Sequence, residues 1–473
     1  MKYAPLLLIV LISCAAQSGT QAQESQIIPL LDSEVFNLSA SPSIGLFDGR
    51  ELSYFAYNNQ VPGPLFKVKQ GSEVIINFTN NLAQETLIHW HGVRVDNKYD
   101  GMHLVQHPIA PSETFEYHLK FPDDGIYWYH PHVNEPEQQE RGLYGTILVE
   151  PSNPYPQVDH EEVLILDDIR LFNDDIEPFE EYTTYALMGR FGTDMFINGK
   201  PTQDYSFETG TTARFFIVNT ANTRMFNFSI RGAKMKVIGG DSGRYAQEFF
   251  ADSIILAPSE RAIIDVAFEN AGTYQMLNKN PHETYELGAI VVEGEMKSLP
   301  EFAQLNEGVL LPNLSKYESQ EPDHELIIKA TISGMNHNMG QSEPIEWEDT
   351  MPPMNAQSTN QNTKWILRDA KTGKENMDFT LNTVKAEMLK IRLTNPSSGM
   401  HAMQHPIHIH GQRFIVLGEK NPVWKDTVLV PAGKSVDIVV DFSNPGDWML
   451  HCHISEHLEA GMSIGVHVAE EEE

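Results

Sequence analysis

"APSETFEYHLKFPDDGIYWYHPH" (110–132) is written again as "APSERAIIDVAFENAGTYQMLNK" (257–279) and as "PAGKSVDIVVDFSNPGDWMLHCH" (431–453), with no gap in the alignment. Each copy reads as a turn, a run rich in β-branched and aromatic residues, a Gly-containing turn and a second such run. Ahead of each copy lies another apolar run that stops at Asn: "VIINFTNNL" (74–82), "ARFFIVNTAN" (213–222) and "LKIRLTNPSS" (389–398). The copies lie too far apart for a solenoid and at a distance that suits duplicated domains. Short strand-like runs punctuated by Pro, Gly, Asn and Asp, with no long helical period, predict an all-β chain of three tandem β-sandwich or barrel domains. A chain of 473 residues has room for three. The expected bounds are 27–155, 156–297 and 320–470, with a Pro- and charge-dotted linker over 298–319.

The repeat carries an internal control. Where the second run ends, the first copy has "YWYHPH" and the third has "WMLHCH", but the middle copy has "YQMLNK". The fold does not need histidines there, since one copy manages without them. Ten of the nineteen histidines fall in four clusters: His89 and His91; His130 and His132; His405, His408 and His410; His451, His453 and His457. On a strand, residues two apart face the same way about 6.6 Å apart, so each His-x-His aims two imidazoles at one space. One such pair is ordinary in a core or on a surface. Four of them, confined to the outer copies, point to metal.

Cys452 sits between two of these histidines and faces the opposite side of its strand. With His405, His457 and Met462 it offers a thiolate, two imidazoles and a thioether, the donor set of a blue-copper electron-transfer centre. A structural zinc site needs four ligands, not twelve.

The other cysteine, Cys14, lies in "MKYAPLLLIVLISCAAQ", a basic residue followed by a short apolar run and small residues. Residues 1–22 read as an export signal whose apolar run, Leu6 to Ile12, is too short to span a bilayer. Leu11-Ile12-Ser13-Cys14 resembles a bacterial lipobox, which implies a lipid anchor at Cys14 and a periplasmic or cell-surface protein. Plain secretion with cleavage near Ala22 is the alternative. A net charge of −32 argues against nucleic acid or an anionic membrane face as partner.

In their order and placement the four histidine motifs resemble those of the laccase-like multicopper oxidases, as do "NQVPGPLF" (59–66) and "VWKDTVLVPAG" (423–433). The resemblance spans nearly the whole mature chain. It implies cupredoxin-like Greek-key domains and four copper ions per chain. His405, Cys452, His457 and Met462 would hold type 1 copper, and His89 and His408 type 2. His91, His130, His132, His410, His451 and His453 would hold the type 3 pair, in a trinuclear cluster shared by domains one and three. The implied reaction is one-electron oxidation of a reducing substrate, a phenol or aromatic amine, coupled to reduction of O2 to water. Asp100 matches the family's acid on the type 2 side. Leu458 stands where some relatives carry a second acid, which leaves Glu456 and Glu459 as candidates. Methionines near the type 1 ligands (Met335, Met339, Met351, Met354, Met400, Met403) suit Cu(I) and support an alternative cuprous-oxidase role in copper tolerance. A nitrite reductase would lack the full set of cluster histidines, and a non-enzymatic copper carrier would tolerate gaps in it.

Overall fold

The structure is a computed structural model that describes residues 20–297, 302, 309, 311–333, 343–397 and 402–470. Residues 1–19, with Cys14, and Met335, Met339 and Met400 lie outside the described residues.

The chain forms three two-sheet sandwiches with one topology written three times. In one sheet of each, an entry strand pairs in parallel with the strand that stops at Asn, which pairs antiparallel with the first run of the repeat. These trios are Val35–Phe47, Glu73–Asn80 and Thr114–Lys120; His160–Ile169, Thr211–Asn219 and Arg261–Phe268; and His324–Ile332, Glu387–Asn395 and Lys434–Phe442. The second run of each repeat joins the opposite sheet as Gly125–Pro131, Gly272–Lys279 and Gly446–Cys452. The two runs therefore do not form a hairpin. The glycine between them, at φ 139°, 153° and 135°, takes a backbone conformation that other residues rarely adopt, and the chain crosses the sandwich there.

The recurring Asn has a shared physical task. Asn80, Asn219 and Asn395 are buried, and each side-chain amide donates twice. One bond goes to the loop that follows its strand, at Gln84, Arg224 or Met403, and one to Ile109, Leu256 or Val430, just ahead of the repeat. A buried amide that satisfies two carbonyls fixes the corner of the sandwich.

Each sandwich has its own apolar core, around Trp90 and Tyr129, around Phe215 and Phe228, and around Trp365 and Trp448. A buried aromatic removes about 150–250 Å² from water, worth about 4–6 kcal/mol at ~25 cal/mol per Å². The sandwiches also share apolar contacts. Ile126 of the first packs with Phe216, Ile238 and Ile263 of the second, and Leu187, Met188 and Phe191 of the second enter the core of the third.

Candidate metal centre

Strand register brings the motifs together. Ile88–His91 pairs with Gly125–Pro131 so that His89 lies opposite His130. His405–Ile409 pairs with Gly446–Cys452 so that His408 lies opposite His451. All ten motif histidines are buried. Eight of them, from the first and third sandwiches, form one group: His89 stacks on His410 at 3.9 Å between ring centres, and His91 on His408 at 3.8 Å. His410 Nε2 lies 3.0 Å from His451 Nε2, and the rings of His130 and His132 lie 5.1 Å from those of His453 and His410 respectively.

Hydrogen bonds on one ring nitrogen orient the other. Nδ1 donates to Asp100 O from His89 (2.8 Å), to Pro131 O from His130 (3.0 Å), to Asp426 O from His408 (2.9 Å) and to Cys452 O from His451 (2.8 Å). His410 Nδ1 bonds Asp100 Oδ2 at 2.7 Å. His91 is turned the other way, with Nε2 3.1 Å from Asp426 Oδ1. Nε2 of His89, His130, His132 and His408, Nδ1 of His91 and both nitrogens of His453 are buried with no hydrogen-bond partner. Orphaned buried imidazole nitrogens converging on one space are costly unless a metal takes them. Burial holds His91, His130, His132, His410, His451 and His453 well below the usual imidazole range and lowers His408, so these rings are neutral and ready to ligate.

On the other face of the Cys452 strand, Sγ lies 3.5 Å from His405 Nδ1 and 3.7 Å from His457 Nδ1, and those two nitrogens are 3.3 Å apart. A triangle of that size holds an ion at ordinary nitrogen and thiolate bond lengths, about 2.0–2.3 Å. Met462 is buried beside it, its backbone tied to Cys452 N (3.1 Å) and His457 O (3.0 Å). Burial pushes the Cys452 thiol well above its usual range. A bound cation is what stabilises a thiolate there.

Asp100 is buried between His89 and His410. The glycine after it is obligatory, since at Gly101 (φ +80°) a Cβ would sit 1.8 Å from Ile88 O. Of the two candidate glutamates, Glu459 is exposed. Glu456 is buried, accepts from Thr223 Oγ1 at 3.3 Å, and is raised by burial. Sequence reasoning missed a third acid, Glu135, which follows the YHPH motif. Its Oε2 lies 3.9 Å from His132 Nε2, its Oε1 accepts from Ser455 Oγ at 3.1 Å, and burial pushes it up to about 8. Sequence reasoning also missed Asp426, inside the quoted "VWKDTVLVPAG". Burial would raise its carboxyl, but the Arg261 guanidinium beside it holds it well below the usual carboxylate range. It missed Trp365 as well, whose ring lies 4.6 Å from His405 and 4.4 Å from His457 and whose Nε1 donates to Ala186 O at 2.8 Å. Met403 is fully buried in the third core, against which Met351 and Met354 pack.

Multicopper oxidase family models match residues 43–154, 172–295 and 347–472. The multicopper oxidase MmcO of Mycobacterium tuberculosis is 28% identical over 88% of this chain and 83% of its own length. A laccase of Trametes maxima is 28% identical over 92% of this chain and 93% of its own. The solved multicopper oxidase of Pseudomonas thermotolerans superposes with a TM-score of 0.71 at 26% identity, covering 93% of this chain and all of that one.

Proposed function

The chain belongs to the multicopper oxidase family, and from that premise we propose that its clustered donors hold four copper ions and oxidise small phenols or aromatic amines at the expense of O2. His405, Cys452, His457 and Met462 hold type 1 copper. His89 and His408 hold type 2. His91, His130, His132, His410, His451 and His453 hold the type 3 pair. The bound copper supplies one-electron oxidation of the substrate at the type 1 site and four-electron reduction of O2 to water at the cluster.

The observation that carries this reading is the alternation at 451–453. Cys452 turns its sulfur to one nitrogen pair while His451 and His453 turn to the eight-imidazole group. The protein's own groups do the rest. Asp100 orients His89 and His410 and is placed to pass protons on that side. Glu135, protonated at neutral pH, holds a proton beside His132, with Glu456 behind it. Trp365 and Ala186 keep water from the type 1 imidazoles.

The phenol reading is preferred to the cuprous one because Met403 is fully buried in the third core and the half-buried Met351 and Met354 pack against that core. Export fits the apolar N-terminal segment. Processing at Cys14 rather than near Ala22 fits the pairing of Thr20–Gln21 with Ser43 and Ile44, which cleavage near Ala22 would remove.

Metal analysis and O2 uptake test the reading. The loaded protein should contain four coppers per chain, be blue, and consume O2 with a phenol faster than with Cu(I). One copper, or zinc, in fully reconstituted protein defeats the copper assignment, and faster uptake with Cu(I) reverses the choice of substrate. Cys452→Ser should abolish colour and activity together.

A further inference from the structure

Arg261 belongs to the sandwich that has no copper ligands, at the repeat position occupied by Thr114 in the first copy and Ser435 in the third. Its guanidinium is fully buried and all five of its N–H groups are used. Nε donates to Ile126 O (2.9 Å), on the strand that carries His130. Nη1 donates to Ser259 O (3.0 Å) and Asp426 Oδ1 (2.6 Å), and Nη2 to Asp241 O (3.0 Å) and Asp426 Oδ2 (2.6 Å). One side chain thus ties all three sandwiches, with a charge-assisted two-pronged grip on Asp426.

What Asp426 does with its remaining acceptor capacity gives the grip a purpose. Oδ1 also faces His91 Nε2 (3.1 Å) and accepts from Thr427 Oγ1 (3.0 Å), while the backbone carbonyl accepts from His408 Nδ1 (2.9 Å). An ion-paired carboxylate can only accept, so the ring proton of His91 belongs on Nε2 and Nδ1 is left as the donor to metal. This explains why His91 is turned over relative to His89, His130, His408 and His410. A second feature of the same spot agrees. A Cβ on Gly92, the residue after His91, would lie 2.4 Å from Asp426 Oδ2 and 2.7 Å from Arg261 Nη2. The glycine that closes "HWHG" is the space the clamp occupies.

We propose that Arg261 is a positioning residue for the copper cluster, fixing through Asp426 which nitrogens of His91 and His408 face the metal. The inference rests on the reading of those two histidines as copper ligands. Its test compares copper-loaded parent protein with Arg261→Met, Arg261→Lys and Arg214→Met. Arg214 is the control: equally buried in the same sandwich, it grips Asp265 in the same two-pronged way (2.8 and 2.9 Å), and its other partners are Glu161, Pro156 and Tyr155. The readouts are copper per chain, the electron paramagnetic resonance spectrum of the cluster, and the blue thiolate absorbance.

Arg261→Met should lose at least one copper per chain at unchanged blue absorbance. Arg261→Lys, which keeps the charge without the fork, should alter the cluster spectrum less. Arg214→Met should lose stability but keep parent spectra and copper content. Should Arg261→Met not fold, the Lys variant decides alone. Parent copper content and cluster spectrum in the Arg261 variants overturn the proposal, as does a blue absorbance that falls in step with the cluster. Parent protein lacking the cluster coppers defeats the ligand reading, and the proposal with it.

Discussion

At equivalent places in the same sheet, the first sandwich sets His89 against His130, the third sets His408 against His451, and the second sets Ser229 against Leu277. The backbones agree and the chemistry does not. Scaffold and site are therefore separable here: the sandwich is maintained by its Asn corners, crossing glycines and aromatic cores, and the histidines are additions to it. The middle copy does more than space the outer two, since it supplies Arg261 to the clamp and the Tyr185–Phe191 segment beside Trp365.

The hardest break of this comparison is to rewrite the third copy as the second. His408→Ser with His451→Leu should fold and stay blue, because the Cys452 sulfur faces His405 and His457, and His451 reaches Cys452 at its backbone carbonyl rather than its sulfur. Oxidase activity should drop by about 10³-fold or more, as expected when groups that act as a unit are removed. Loss of the fold or of the blue absorbance, followed by circular dichroism and visible spectra, would show that scaffold and site are not separable. Next in size is Asp100→Asn, which keeps shape but not proton exchange. Reoxidation by O2 should slow by about 10²-fold in stopped flow, with type 1 reduction unchanged. Unaltered reoxidation returns Asp100 to an orienting residue alone.

A thermodynamic contrast sharpens the same point. Folded His408 and His451 sit below the ordinary value of 6.5 because burial disfavours their charged forms. Below that pH the unfolded chain binds protons that the folded apoprotein refuses, so stability present at pH 7 is lost as pH falls. Between pH 6.5 and 5.5 the parent apoprotein should lose more stability than the Ser/Leu variant, by at most about 1 kcal/mol for each of the two imidazoles, measured by urea unfolding. The buried carboxyls are common to both proteins and cancel. Parallel losses would mean that the imidazoles are already solvated before unfolding. The smallest effect belongs to Met403→Leu. A volume-conserving core swap costs under ~1.5 kcal/mol, and the ratio of kcat/KM for Cu(I) to that for a phenol should not move. A selective fall for Cu(I) would reopen the cuprous reading.

The architecture and the ten clustered histidines were legible because both are local in the chain: period-two alternation and a repeated 23-residue pattern can be read without knowing what folds against what. What stayed hidden was set by long-range contact. Asp426 meets His91 across 335 positions and Arg261 across 165, and nothing in either neighbourhood announces the partner. Trp365 looks like any core aromatic until His405 and His457 arrive beside it. Glu135 carried a weak signal, an acid three residues beyond His132. The family position at Leu458 points to the third sandwich, whereas Glu135 stands in the first.

The joining of His410 to Asp100, 310 positions apart, has a consequence for how the enzyme is made. The eight-imidazole group cannot assemble before the third sandwich meets the first, because His408, His410, His451 and His453 supply half of it. Contacts of such separation form late in folding. The first sandwich on its own carries four of the eight imidazoles, with His89 opposite His130 on neighbouring strands. Filling of the whole group therefore reports that the two outer sandwiches have met, so the geometry that gathers the donors also registers completed assembly.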